Sequence, residues 1–308
     1  MSGPGRKPIT AAEWQRIAGI TAGALAVFVG MRFLPTGTNL NHMDFRVSGQ
    51  NAIEFCDPSN PQFIPVVAAR SPVAMTVQWA APPAPGREGR GVVMLKTASG
   101  KPVEAQDLLV AHTRKLHLLI VDPTLTDYQH VHPEPGGAPG EWTITWTPRS
   151  SGAYRIFADF TPAATGRGLY ASAEAEVSAV AGGAAAQAPT GQTDARSPYT
   201  FALAAAVQPT RAGQPTDLKF SITRGDGGAV PLEPVMGAFA HLVAFDEARS
   251  GFAHLHPGEA DLTKKPDALR PELNFKITIP QAGRYVIWAQ VKLGGREEFA
   301  PFAFEVAP

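Results

Sequence analysis

Seven of the chain's eight histidines fall in two short stretches: His112, His117, His130 and His132, then His241, His254 and His256. In each stretch a first histidine is followed, after 12 intervening residues, by His-x-His-Pro. Neutral imidazole is the commonest protein ligand for transition metals. His130 and His132 stand two apart, so on a strand they point to one face. His117 opens the preceding apolar run, and a short polar turn near Pro123 to Asp127 separates the two runs. Opposed residues of an antiparallel pair share a face, with Cβ atoms about 5 Å apart. If His117 opposes His130 or His132, three imidazoles converge and can share one ion at about 2 Å each. His241, His254 and His256 repeat the arrangement. Five residues before the first histidine of each trio stand His112 and Met236, candidate fourth ligands. A methionine beside three histidines suits copper, Cu(I) in particular, and four histidines suit Cu(II) or zinc. Asp122 and Asp246, five residues after the same histidines, read first as solvated turn aspartates, with acceptors that orient an imidazole as the alternative.

The elements that position these residues also occur twice. His117 to Asp122 (HLLIVD) matches His241 to Asp246 (HLVAFD), and Tyr128 to Pro133 (YQHVHP) matches Phe252 to Pro257 (FAHLHP). Gly152 to Ala158 (GAYRIFA) matches Gly283 to Ala289 (GRYVIWA), and both copies end in an apolar-polar run, Ala173–Val177 and Phe302–Val306. So many ordered matches mark a duplicated module. Runs of five to eight residues bounded by Gly, Pro or Asp, some alternating as Trp142 to Trp146 do, predict antiparallel strands with one face inward. About seven strands per copy predict two tandem immunoglobulin-like β-sandwiches in an all-β chain. Gly-x-Tyr at Tyr154 and Tyr285 matches the tyrosine corner of such folds, with an ordinary core tyrosine as the alternative. The expected divisions are a cytoplasmic segment 1–13, a transmembrane anchor 14–34, and a segment 35–75 packed on the first module. Module one follows over 76–178, a flexible linker over 179–198 and module two over 199–308.

Formal net charge is zero, which gives no support to a nucleic-acid partner held by phosphate contacts. Cys56 is the one cysteine, which excludes an internal disulfide and a thiolate zinc site. Ile17 to Met31 is uncharged between Arg16 and Arg32; the run covers only ~22 Å, and extension to Trp14 and Leu34 brings it to about 31 Å, the thickness of a bilayer core. With Arg6, Lys7 and Arg16 ahead of it, this predicts a single-pass inner-membrane anchor with the rest exported to the periplasm. A cleaved signal peptide is the alternative, but no Ala-x-Ala site follows the run.

Met236 to His241, Phe252 to Pro257 and Gly283 to Trp288 together resemble exported bacterial modules of the YtkA-like kind, with an immunoglobulin-like or cupredoxin-like sandwich. The resemblance covers about 100 residues per copy and implies copper handling. No cysteine lies near the histidines, which departs from blue-copper centres. The leading expectation is a non-enzymatic, membrane-anchored protein binding copper, or alternatively zinc, with one site per module. Its expected partners are the metal ion, the membrane and a transporter or a metalloenzyme under assembly. The alternatives are an adhesion or scaffold protein with structural histidines, and a three-histidine metal enzyme that would need a general base.

Overall fold

The computed structural model describes residues 10–32, 40–46, 61–178 and 189–308. The chain divides into two compact units, Met1–Asn39 and Leu40–Pro308. The first holds helix α1, Ala11–Arg32. Thr10 and Glu13 start it with a reciprocal cap: the Glu13 carboxylate accepts from the Thr10 backbone at 2.7 Å, and the Glu13 backbone donates to the Thr10 hydroxyl at 3.3 Å. Among the described residues no helix is long and apolar enough to cross a membrane. The expected anchor over 14–34, and the single-pass inner-membrane location that rested on it, are therefore corrected. The physical reason is composition. Seven of the residues between Arg16 and Arg32 are glycine or alanine, which bring little apolar surface to a span. Phe33 and Leu34, which were to extend the run, lie outside the described residues, as do Asn51 to Pro58 with Cys56.

The second unit is built of β-sandwich modules repeated in tandem. Module one contains β1 (Val73–Trp79), β2 (Gly89–Thr97), β3 (Leu116–Val121), β4 (Tyr128–Val131), β5 (Glu141–Trp146), β6 (Gly152–Pro162) and β7 (Leu169–Val177). One sheet runs β1-β2-β5 and the other β7-β6-β3-β4, all antiparallel. Module two contains β8 (Thr193–Arg196), β9 (Tyr199–Ala205), β10 (Pro215–Arg224), β11 (His241–Asp246), β12 (Phe252–Leu255), β13 (Glu272–Thr278), β14 (Gly283–Leu293) and β15 (Arg296–Ala307). Its sheets run β8-β9-β10-β13 and β15-β14-β11-β12. Strand β8 pairs with β9, so residues 193–196 belong to module two; the linker is shorter than 179–198, and 179–188 lie outside the described residues.

Each sandwich closes on its own apolar interior. In module one Leu116, Leu118 and Ile120 face Trp142, Ile144 and Trp146; in module two Leu242 and Ala244 face Phe220, Leu273 and Phe275. Of the two corner tyrosines, Tyr285 donates its hydroxyl to Gln281 O, four residues upstream, at 3.0 Å, whereas Tyr154 donates to Asp127 Oδ2 at 2.6 Å and lies 3.2 Å from Ser150 O.

The expectation of one solvated face per sheet fails at the strands that carry the histidines. All six residues of β3 are buried. Leu119, Val121, Tyr128 and Phe157 of module one form a third apolar cluster with Val243, Phe245, Phe252, Val286 and Trp288 of module two. The modules thus dock face to face through the histidine-bearing sheets. Their contacts obey a pseudo-two-fold: Tyr128 meets Trp288 at 5.8 Å and Phe299 at 5.8 Å, while the repeat-equivalent Phe252 meets Phe157 at 5.3 Å and Tyr170 at 5.4 Å. The segment expected to pack on module one is divided. Leu40 and Phe45 enter the core of module one, but Phe63 enters that of module two. Ile64 exchanges backbone hydrogen bonds with Phe252 at 2.8 and 3.1 Å. A Cβ at Gly251 would lie 1.8 Å from the Ile64 carbonyl oxygen, so only glycine admits this strap.

Candidate metal centre

Strand register brings each trio together as the spacing predicts. Leu118 opposes Val131 and Leu119 opposes His130, which sets His117 opposite His132 one step past the ladder. In module two Leu242 opposes Leu255 and Val243 opposes His254, setting His241 opposite His256. In each trio the ligand nitrogens lie within 4.8 Å of one another. His117 Nδ1 is 3.0 Å from His130 Nε2, and His241 Nδ1 is 3.3 Å from His254 Nε2. With metal–nitrogen bonds of ~2.0 Å, such separations subtend about 97° and about 111° at a shared ion, close to tetrahedral.

The outer nitrogens have their own partners. His117 Nε2 donates to Ala111 O at 2.9 Å, and His241 Nε2 donates to Val235 O at 3.0 Å. Both carbonyls belong to tight two-residue turns, Ala111–Arg114 and Val235–Ala238, closed by backbone hydrogen bonds in both directions. His130 Nδ1 donates to Gln290 Oε1 at 2.9 Å, and His254 Nδ1 donates to Asp159 Oδ2 at 3.1 Å. The Gln290 amide is fixed because its nitrogen donates to Glu297 at 2.7 Å, which turns its oxygen toward His130. Each inner gap is therefore flanked by lone pairs. Two neutral imidazoles carry two ring protons, and both go to oxygen acceptors. The nitrogen–nitrogen gap between them is left with two facing lone pairs, an arrangement that a proton or a metal ion would bridge. His132 Nε2 and His256 Nε2 are also buried without a hydrogen-bond partner.

Asp122 and Asp246 act in turns. Asp122 accepts backbone N–H groups from Thr126 at 2.7 Å and Asp127 at 2.9 Å and the Ser150 hydroxyl at 3.1 Å, so it organises the β3–β4 turn. Asp246 accepts from the Ser250 backbone at 2.7 Å. The supporting groups are Asp159 and Gln290, repeat-equivalent residues one step after the matched Ala158 and Ala289. Each is the cross-strand partner of its own module's first histidine, yet each reaches the other module's trio. The sequence signal was there: the alignment that matched GAYRIFA with GRYVIWA continues directly into Asp159 and Gln290.

The two trios are neighbours rather than separate sites. His130 lies 5.4 Å from His254 and 6.5 Å from His241, ring centre to ring centre, and His117 lies 6.2 Å from His254. His112, expected as the fourth ligand of copy one, stacks instead on His256 of copy two at 3.8 Å and 25°. It sits at the tip of its turn with φ 48°; Met236 holds the matching place in the other turn with φ 49°. A cavity of about 250 Å³ opens on His112, His117, His254, His256 and Asp159, walled by Ile64, Phe160, Tyr170 and Phe252.

Burial dominates the electrostatics. Loss of hydration pushes every imidazole of the cluster below its ordinary value: His241 to about 4, His132 to about 3, and His130, His254 and His256 well below that ordinary value. His112 and His117 move the same way for the same reason. Burial raises the carboxyl of Asp159. Neutral, ligand-ready imidazoles are thus the resting form at pH 7.

A family model for a domain of unknown function, DUF8832, matches residues 71–178 and again 193–308. The chain belongs to the DUF8832 family. The two matches coincide with the two sandwiches, so each DUF8832 domain supplies one trio, and the crossed acceptors tie one domain's trio to the other. Among solved structures, the native conformation of the E. coli alpha-2-macroglobulin is similar over 76% of this chain and 17% of its own length, at 13% identity and a TM-score of 0.23. The chain therefore spans about a sixth of that protein. No curated protein matches it in sequence.

Proposed function

We propose that this tandem DUF8832 protein binds metal, with copper held at the His117/His130/His132 and His241/His254/His256 trios and zinc as the alternative ion. The observation that carries the reading is the proton count: in each trio two imidazoles give both protons to oxygen acceptors and turn their lone pairs on each other at 3.0 or 3.3 Å. A purely structural histidine cluster would place a donor in that gap.

Charge favours copper over zinc as a pair. Cross-domain ring separations of 5.4 to 6.5 Å put two ions on the order of 6 Å apart. At an effective dielectric of 20 they repel by ~3 kcal/mol if both are Cu(I), but by ~11 kcal/mol if both are divalent. The immunoglobulin-like, YtkA-like reading of each domain supports the same conclusion. Met236 holds the turn position that matches His112, and by the pseudo-two-fold it is the candidate soft ligand for the site of domain one. The cavity at His254 and Asp159 is the entry path.

Metal analysis of the full chain, purified from copper- and zinc-supplemented cultures, tests the reading. The expected result is stoichiometric metal, halved by the His130→Ala/His132→Ala double variant. A folded chain without metal, or a double variant that retains all of it, rejects the proposal.

A further inference from the structure

The trios are built alike, and the groups that hold their middle histidines differ at one repeat-equivalent pair. Asp159 and Gln290 occupy the same place in β6 and β14, and each crosses the interface to the outer nitrogen of the other domain's middle histidine. His254 thereby rests on a carboxylate, and His130 rests on a neutral amide. Resting on the metal reading above, we propose that Asp159 makes the two sites unequal: the domain-two trio fills first and prefers the more highly charged ion.

The chemistry follows from what each acceptor does to an imidazole. A carboxylate on Nδ1–H draws the ring proton toward itself and pushes electron density to Nε2, the nitrogen that faces the ion, so His254 becomes the stronger donor. The carboxylate also sets a negative charge one imidazole away from the cation, where burial leaves little water to screen it. Gln290 orients His130 equally well but supplies no charge, and its orientation is held by Glu297 at 2.7 Å.

A second feature points the same way. Two cavities reach the cluster: one touches His254 and His256 of the domain-two trio but only His117 of the domain-one trio, with Asp159 and His112 in its wall, and the other touches His256 and His112; His130 and His132 line neither. His112 further covers the domain-two trio through its stack on His256. An entering cation meets the carboxylate-backed trio first. Once it is filled, repulsion lowers the affinity of the amide-backed trio.

Titration of the metal-free full chain with Cu(I) against a chromophoric chelator, and separately with Zn(II), tests the order. The wild type should bind a first ion tightly and a second more weakly, and His130→Ala/His132→Ala should keep the first. Asp159→Asn is nearly isosteric and should weaken the first ion by 10- to 100-fold, with the larger loss for Zn(II). A merely structural defect would weaken both ions alike. The exchange Gln290→Glu with Glu297→Gln keeps the 290–297 hydrogen bond and should tighten the second ion. Unchanged first-ion affinity in Asp159→Asn, equal losses for the two ions, or loss of the first ion in the His130/His132 variant would each overturn the inference and leave the metal reading standing. A wild type that binds neither ion would sink the metal reading itself.

Discussion

Acidification of the metal-free protein should unfold it well before its carboxylates titrate. An unfolded histidine has a pKa near 6.5, whereas in the folded chain His132 is held at about 3 and His241 at about 4. Between those limits the unfolded state binds protons that the folded state refuses, so stability is full above pH 6.5 and falls as pH drops toward the folded values. Each such group costs ~1.4 kcal/mol per pH unit. From pH 6.5 to 5.0 these two histidines alone remove about 3 kcal/mol, and His130, His254 and His256 act in the same direction. That is a large share of the ~5–15 kcal/mol that holds a typical domain together. Urea melts of chelator-treated protein should show a constant midpoint from pH 8 to 7 and a steep fall below 6. The metal-loaded protein should hold its midpoint to lower pH, because bound metal keeps the imidazoles neutral. A midpoint of the metal-free protein unchanged from pH 8 to 5 would refute the reasoning, since the imidazoles would then be taking up protons where they stand.

Three further outcomes follow from the packing. Gly251→Ala should displace the 61–67 strap, whose Ile64 carbonyl oxygen would lie 1.8 Å from the new Cβ; faster proteolysis within 61–67 and a lower Tm would report it. Tyr128→Phe removes a hydroxyl buried without a hydrogen-bond partner, a group that typically costs ~1–3 kcal/mol, so the Tm should rise rather than fall. Leu119→Ala, fully buried between the domains, should cost about 2–5 kcal/mol. It should also lower metal content, because the crossed acceptors need the domains docked.

The histidine geometry was legible in the sequence because strand period and hairpin register are local. Two histidines at i and i+2 must share a face, and a short turn leaves little freedom in which residue opposes His117. The duplication was legible for the same reason. What the spacing could not carry is the docking of one copy on the other, since no local rule says which face of a sandwich meets a partner. A trace of it was nonetheless written in β3, where Leu116, Leu118, Leu119, Ile120 and Val121 are apolar on both faces; a strand with one solvated face alternates. The anchor was misjudged by counting uncharged residues in α1 without weighing how little apolar surface glycine and alanine bring.

The duplication itself explains why the supporting groups were missed. Within one copy, Asp159 stands beside His117 and Gln290 beside His241, so single-module reasoning seeks their role there. Crossing appears only when two copies face each other around a two-fold, because a side chain at the edge of one sheet then meets the equivalent position of the other. Once that face is buried, any difference between the copies becomes a difference between the sites. Asp159 against Gln290, and His112 against Met236, are such differences, and both alter what surrounds a trio while leaving its three histidines unchanged. On the metal reading, the departures from the repeat, more than the repeat itself, are where the two sites would differ.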